Sequence, residues 1–110
     1  MWSLSSIGFQ ASPDNAAPTP GEMYKITPDE LKSVQDKAVA GDVPAINRLI
    51  DYYMLYVGSE TEGMIWLERL GDTGDLDARG IVLRYLQSHP QPGTPKHLEE
   101  LRKRWNLHRK

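Results

Sequence analysis

Apolar residues recur along residues 27–107 at spacings of three and four, and glycines and capping side chains cut the pattern into five segments. Thr27-Pro28-Asp29-Glu30 opens the first. Thr27 suits the N-cap, Pro28 the first helical position, and Glu30 completes a capping box. Leu31, Val34 and Ala38 follow at helical spacing, and Gly41 stops the helix. Asp42 caps a second helix whose stripe is Ala45, Ile46, Leu49, Ile50, Tyr53 and Val57, with Gly58 at its end. Ser59 starts a third, with Glu60 and Glu62 in the first turn and Met64, Ile65, Leu67 and Leu70 as its apolar face. Gly71 and Gly74 are expected to break the chain. Asp75 caps a fourth helix bearing Leu76, Ala78, Ile81, Val82, Tyr85 and Leu86. After the loop His89–Gly93, Thr94-Pro95 opens a fifth helix with Leu98, Leu101, Trp105 and Leu107. No segment sustains period-two alternation, so the predicted fold class is all-α without a sheet.

The first residues follow different rules. Residues 11–21, ASPDNAAPTPG, hold three prolines and no periodicity, so residues 1–26 read as a flexible arm and residues 27–110 as the helical domain. Trp2, Ile7 and Phe9 are apolar residues in that arm able to pack back on the domain. The start, MWSLSSIGF, lacks a basic region and is interrupted by three serines, so it is not an intact export signal.

The segment GDVPAINRLIDYY at 41–53 repeats as GDLDARGIVLRYL at 74–86, an offset of 33 residues. Gly41, Asp42, Ala45, Leu49, Ile50 and Tyr52 align with Gly74, Asp75, Ala78, Val82, Leu83 and Tyr85. A period of this length with two helices per unit is the signature of a helical solenoid. With GMIWLERLGDTGDLDA at 63–78, the pattern resembles the Sel-one-like repeats, a branch of the tetratricopeptide-like helical repeats; the match covers about residues 38–86. Leu49-Ile50 stands where that family carries a Leu-Gly pair. The resemblance implies a short right-handed α-solenoid of about five helices, with Trp66 as a core residue between layers.

It also implies a groove lined by the first helix of each pair. Here that groove would draw on Asn47, Arg48, Asp51, Tyr52 and Tyr56 from one unit and Arg79, Arg84 and Tyr85 from the next. Tyr52, Tyr53 and Tyr56 crowd one helix, so at least one ring is expected at the surface, where tyrosine is a favoured interface residue.

Composition narrows the chemistry. The 110 residues include no cysteine, which removes disulfides and zinc–thiolate sites. A net charge of −2 argues against a general nucleic-acid binder. Residues 101–110 nevertheless carry five Lys/Arg and no acid, leaving eight Lys/Arg against fifteen Asp/Glu in the rest. Such a basic tip beside an acidic body orients binding. No apolar run reaches the roughly 20 residues that span a bilayer. His89, His97 and His108 form no HxxxH or HExxH pair, and Asp72, Asp75 and Asp77 lack a calcium loop's final glutamate because position 83 is Leu. No nucleophile elbow or phosphate loop occurs. The sequence therefore reads as a non-enzymatic protein-binding module without cofactor or metal. The repeat family includes bacterial immunity proteins that occlude a secreted toxic effector, among them envelope-acting lipases. That role, in the periplasm or envelope, is the leading expectation. The alternatives are an envelope or signalling adaptor that scaffolds two partners and, for location, the cytoplasm.

Overall fold

The computed structural model describes residues 21–107. The arm up to residue 20 and the basic tail His108–Lys110 lie outside the described residues. Five α-helices follow one another: α1 (Pro28–Val39), α2 (Val43–Asp51), α3 (Glu60–Asp72), α4 (Leu76–Ser88) and α5 (Thr94–Arg104). A short 3-10 turn, Glu22–Tyr24, precedes them, and a π-helical turn, Tyr52–Val57, continues α2. The described residues contain no strand. Each helix packs on its neighbour in the chain, so α2 lies on α1, α3 on α2, α4 on α3 and α5 on α4.

The boundaries follow local chemistry. The first four N–H groups of a helix have no partner inside it, and a side-chain oxygen at the N-cap can satisfy one. Thr27 Oγ1 accepts from the Glu30 N–H at 3.3 Å, and Glu30 Oε1 accepts from the Thr27 N–H at 3.4 Å, a complete capping box. Asp42, Ser59 and Asp75 each accept from the N–H three residues on, at 3.1, 3.3 and 2.8 Å. Gly58, directly after the π turn, adopts φ +81°, a left-handed conformation that glycine adopts without a Cβ penalty. Helix α5 starts otherwise: Gly93 offers no side-chain cap, and Thr94 Oγ1 instead accepts from the Gln91 N–H at 2.8 Å, closing the loop before it.

The core is one cluster: Ile26, Val34, Ala38, Ala45, Ile46, Leu49, Leu67, Leu70, Ala78, Val82, Leu101 and Trp105. Packing thus reaches back to Ile26, one residue before the first cap. Ala45 and Ala78, the small residues of the repeat, are both buried, which permits close helix approach.

Four expectations are corrected. The buried tryptophan of the core is Trp105, at 4% exposure, whereas Trp66 is half-buried at the margin of the cluster with the Arg69 guanidinium 5.9 Å from its ring centre. Gly71 does not break the chain. It is buried within α3, where a Cβ would lie 2.7 Å from Trp105 Cζ2, so its lack of a side chain makes room for the indole. Ile65 and Leu76 are exposed rather than core. Ile65 lies two residues, about 200° of helix, from the buried Leu67 and so faces the opposite way. Val57 is also exposed, because the wider π turn rotates it off the stripe set by Leu49.

Candidate functional site

Two surfaces combine side chains able to meet a ligand. The first is built on α2 and its π turn. Asn47 and Arg48 are exposed on the side of α2 away from the buried Ile46 and Leu49, and Asp51 is half-buried. Arg48 Nη2 reaches Glu30 Oε1 at 3.5 Å, which ties this face to the start of α1. Hydrogen bonding from Thr27, through its hydroxyl first and its backbone N–H second, holds the Glu30 carboxyl below its ordinary range, and the Arg48 charge adds to this. Beyond Asp51 the Tyr52 ring stacks on Tyr56, centroids 5.6 Å apart and planes at 23°, and meets Tyr53 edge-on at 4.9 Å. The Tyr53 hydroxyl accepts from Gln35 Nε2 at 3.2 Å, so that ring is anchored inward to α1. Tyr56 is the ring that reaches the surface. Around it Leu55 is 50% exposed, Val57 49%, Tyr56 37% and Met23 of the adjoining 3-10 turn 73%. The 3-10 turn packs against the π turn, so these apolar groups form one neighbourhood.

The second surface is a cleft of about 180 Å³ among α3, α4 and α5, lined by Thr61, Met64, Ile65, Val82, Tyr85 and Leu86, with Glu68 and His97 at its polar edge. Tyr85 also stacks on His89 at 4.3 Å. His97 Nε2 and Glu68 Oε1 are 2.7 Å apart, and Glu68 Oε2 accepts from Arg104 Nη2 at 2.6 Å. Asp72 Oδ1 accepts from both Arg104 Nε at 3.1 Å and the Trp105 indole N–H at 2.8 Å. Burial alone would lower the Arg104 pKa. The Glu68 hydrogen bond and the charges of Asp72 and Glu68 outweigh it, and the net direction is upward.

The eight residues expected to line one groove fall into two groups. Asn47, Arg48, Asp51, Tyr52 and Tyr56 lie on α2 and the π turn. Arg79, Arg84 and Tyr85 lie on α4, and α3 packs against both helices. Among the described residues no hydrogen bond, ion pair or ring contact links the groups. Arg84 is exposed. Arg79 is engaged internally: its Nε–H donates to the Gly71 carbonyl at 2.8 Å and its guanidinium sits 5.4 Å from the Trp105 ring centre. Part of the charge asymmetry between the basic tip and the acidic body is likewise spent inside the molecule, in the pairs of Arg104 with Glu68 and Asp72.

Sequence reasoning missed Met23, Leu55 and Val57 as surface groups. Nothing in their spacing marks a π turn. It also missed the Glu68–His97 contact, 29 residues apart, although opposite charge on α3 and α5 was a visible signal. Among the described residues no cluster of His, Asp or Glu could hold a metal ion, and no helix is long and apolar enough to cross a membrane. Compared with family models, curated proteins and solved structures, the chain matches none of them.

Proposed function

We propose that this protein is a small, non-catalytic helical binding module whose contact face is the π-turn surface. The observation that carries the reading is the run Leu55-Tyr56-Val57, open to solvent beside Met23 and flanked by the polar Asn47, Arg48 and Asp51. An apolar and aromatic centre with a polar rim is the anatomy of a protein interface. The stacked Tyr52 and Tyr56 are ordered in advance, which lowers the ordering cost of binding. π turns inside helices are frequent at functional sites. Helices packed in chain order, with Ala45 and Ala78 buried at matching positions, support reading the fold as a short solenoid of Sel-one-like units. On that resemblance the partner is a secreted toxic effector that the protein occludes in the bacterial envelope.

The test is capture of binding proteins by the full chain and by its Leu55→Ser and Tyr56→Ser variants. One stoichiometric toxin-like partner, held at nanomolar affinity and lost from both variants while their melting curves stay unchanged, is the expected result. Retention of that partner by both variants would remove the π-turn face from the reading. The cleft on α3, α4 and α5 favours a second reading, an adaptor with two faces. In that case an Ile65→Ser variant would lose one partner and keep another.

A further inference from the structure

We propose that the π-turn face takes a basic segment of a partner protein, whose apolar side chains meet Leu55 and Tyr56 and whose lysines or arginines meet the acids around them. The inference rests on the binding role proposed above and names the chemistry of the partner. Helical spacing joins the apolar and acidic features. Asn47, Asp51 and Leu55 are successive residues at a spacing of four and so share one side of α2 and its π turn. Asp51 therefore stands one turn before the exposed apolar group. It is half-buried, and its carboxylate has no ion pair and no hydrogen bond among the described residues. It lies inside a helical run, so neither a capping role nor the field of a helix N-terminus accounts for it. The 3-10 turn closes the face from the other side. Gly21 seats it there, because a Cβ would collide with the Leu55 carbonyl oxygen. Glu22, the next residue, is exposed beside Met23 and likewise has no ion pair among the described residues. Glu60 and Glu62 open α3, which packs on the π turn. The α3 dipole already favours these two, and they add to the negative charge of the rim. Against the four acids stand Lys25, exposed, and Arg48, which is committed to Glu30.

The acids at the far end of the molecule are neutralised from within. Glu68 and Asp72 pair with Arg104, Glu99 lies 3.6 Å from Arg102, and Glu100 lies 3.7 Å from the His97 ring. Uncompensated negative charge thus remains where apolar surface remains. An apolar centre beside unpaired carboxylates is complementary to a cationic amphipathic segment. Burial of Leu55, Tyr56 and Val57 would supply affinity, while the carboxylates would set orientation and association rate. Anionic lipid and nucleic acid meet charge of their own sign on this face.

The probe is a synthetic peptide with blocked ends, leucines at helical spacing and lysines between them. A second peptide carries glutamate in place of every lysine. Each is titrated into the isotope-labelled full chain, and backbone signals are followed. The lysine peptide should shift Glu22, Met23 and Asp51–Gly58 saturably and leave Leu101 in α5 unmoved. The glutamate peptide should shift none of them. Glu22→Gln/Asp51→Asn should bind the lysine peptide about fivefold more weakly at low salt, with a smaller loss at high salt. Equal binding of the two peptides at this face, or equal binding by the variant and the parent, overturns the proposal and leaves the π turn as an apolar contact face without charge selection. A lysine peptide that shifts α4 and α5 instead also overturns it. So does a shift of Asp51–Gly58 with the protein's own concentration before peptide is added, which assigns the face to a second copy. The titration uses no captured partner. Failure of the binding reading shows separately, as a partner that Leu55→Ser and Tyr56→Ser both retain.

Discussion

Around Trp105 every part of the indole is accounted for: the ring edge lies against the bare Cα of Gly71, Arg79 stands over the face, and the N–H donates to Asp72. Around Tyr56 the opposite holds. One face stacks on Tyr52, and the neighbouring Leu55 and Val57 extend into solvent. Both regions carry an aromatic ring at the C-terminal end of a helix. They differ in what lies opposite. Helix α3 presents a glycine and two carboxylates to α5, so a large amphipathic side chain can be buried with its polar edge satisfied. The π turn meets α3 and, through Tyr53, α1 on its inner side, but its outer side has only the three-residue 3-10 turn beside it, and Leu55, Tyr56 and Val57 stay exposed. Trp105 is therefore buried with its polar edge satisfied, whereas the π turn keeps apolar surface that the proposed binding role would use.

The largest expected effect breaks the first region. Trp105→Ala removes the biggest buried side chain and leaves Asp72 without its indole donor. It should cost about 3–5 kcal/mol, read as a fall in the urea midpoint. A loss no greater than that of an exposed substitution would mean that α5 is not part of the cooperative core.

Gly71→Ala sharpens the same point by its sign. As a mere helix interruption, glycine replaced by alanine would stabilise α3 by roughly 0.5–1 kcal/mol. Against Trp105, whose ring atoms lie 2.7 and 3.1 Å from the new Cβ, overpacking of about 1–3 kcal/mol should win and the protein should melt lower.

Next come the caps, which belong to both regions. Asp75→Ala removes the 2.8 Å acceptor at the start of α4 and should cost about 1 kcal/mol, as should Asp42→Ala at the start of α2. Equal losses show one cooperative unit, while a smaller loss for Asp42 measures how far α2 and its π turn open independently of α5.

Leu55→Ser sits at the low end. Its side chain is half out of the fold, so stability should shift by no more than about 0.5 kcal/mol, while partner binding falls sharply. The smallest effect is a pH dependence. The Glu30 carboxyl titrates lower in the folded chain than in the unfolded one, so its contribution is complete above the unfolded value and disappears as pH falls through the folded value. Denaturation of the parent and of Glu30→Gln should therefore converge on acidification. A gap that stays constant with pH would assign the effect to lost packing instead.

The helices themselves were determined by sequence alone. Thr27, Asp42, Ser59 and Asp75 cap where the sequence places them, because a cap is a contact between residues three apart and needs nothing from elsewhere. Gly41, Gly58 and Gly74 end helices for the same local reason, a positive φ. The buried alanines of the repeat were legible too, since a small residue on an apolar stripe marks a close approach. Tertiary structure decided the rest. Periodicity defines a broad stripe, but which margin of it is covered depends on where the neighbouring helices arrive. That choice buried Trp105 rather than Trp66, turned Ile65 and Leu76 outward, and made Gly71 a seat for an indole instead of a break. It also set α3 between the two groups of candidate binding residues and drew Arg79 and Arg104 into internal contacts. The contacts of Trp105 and Arg104 with α3 join residues more than 30 apart, whose meeting no local spacing encodes.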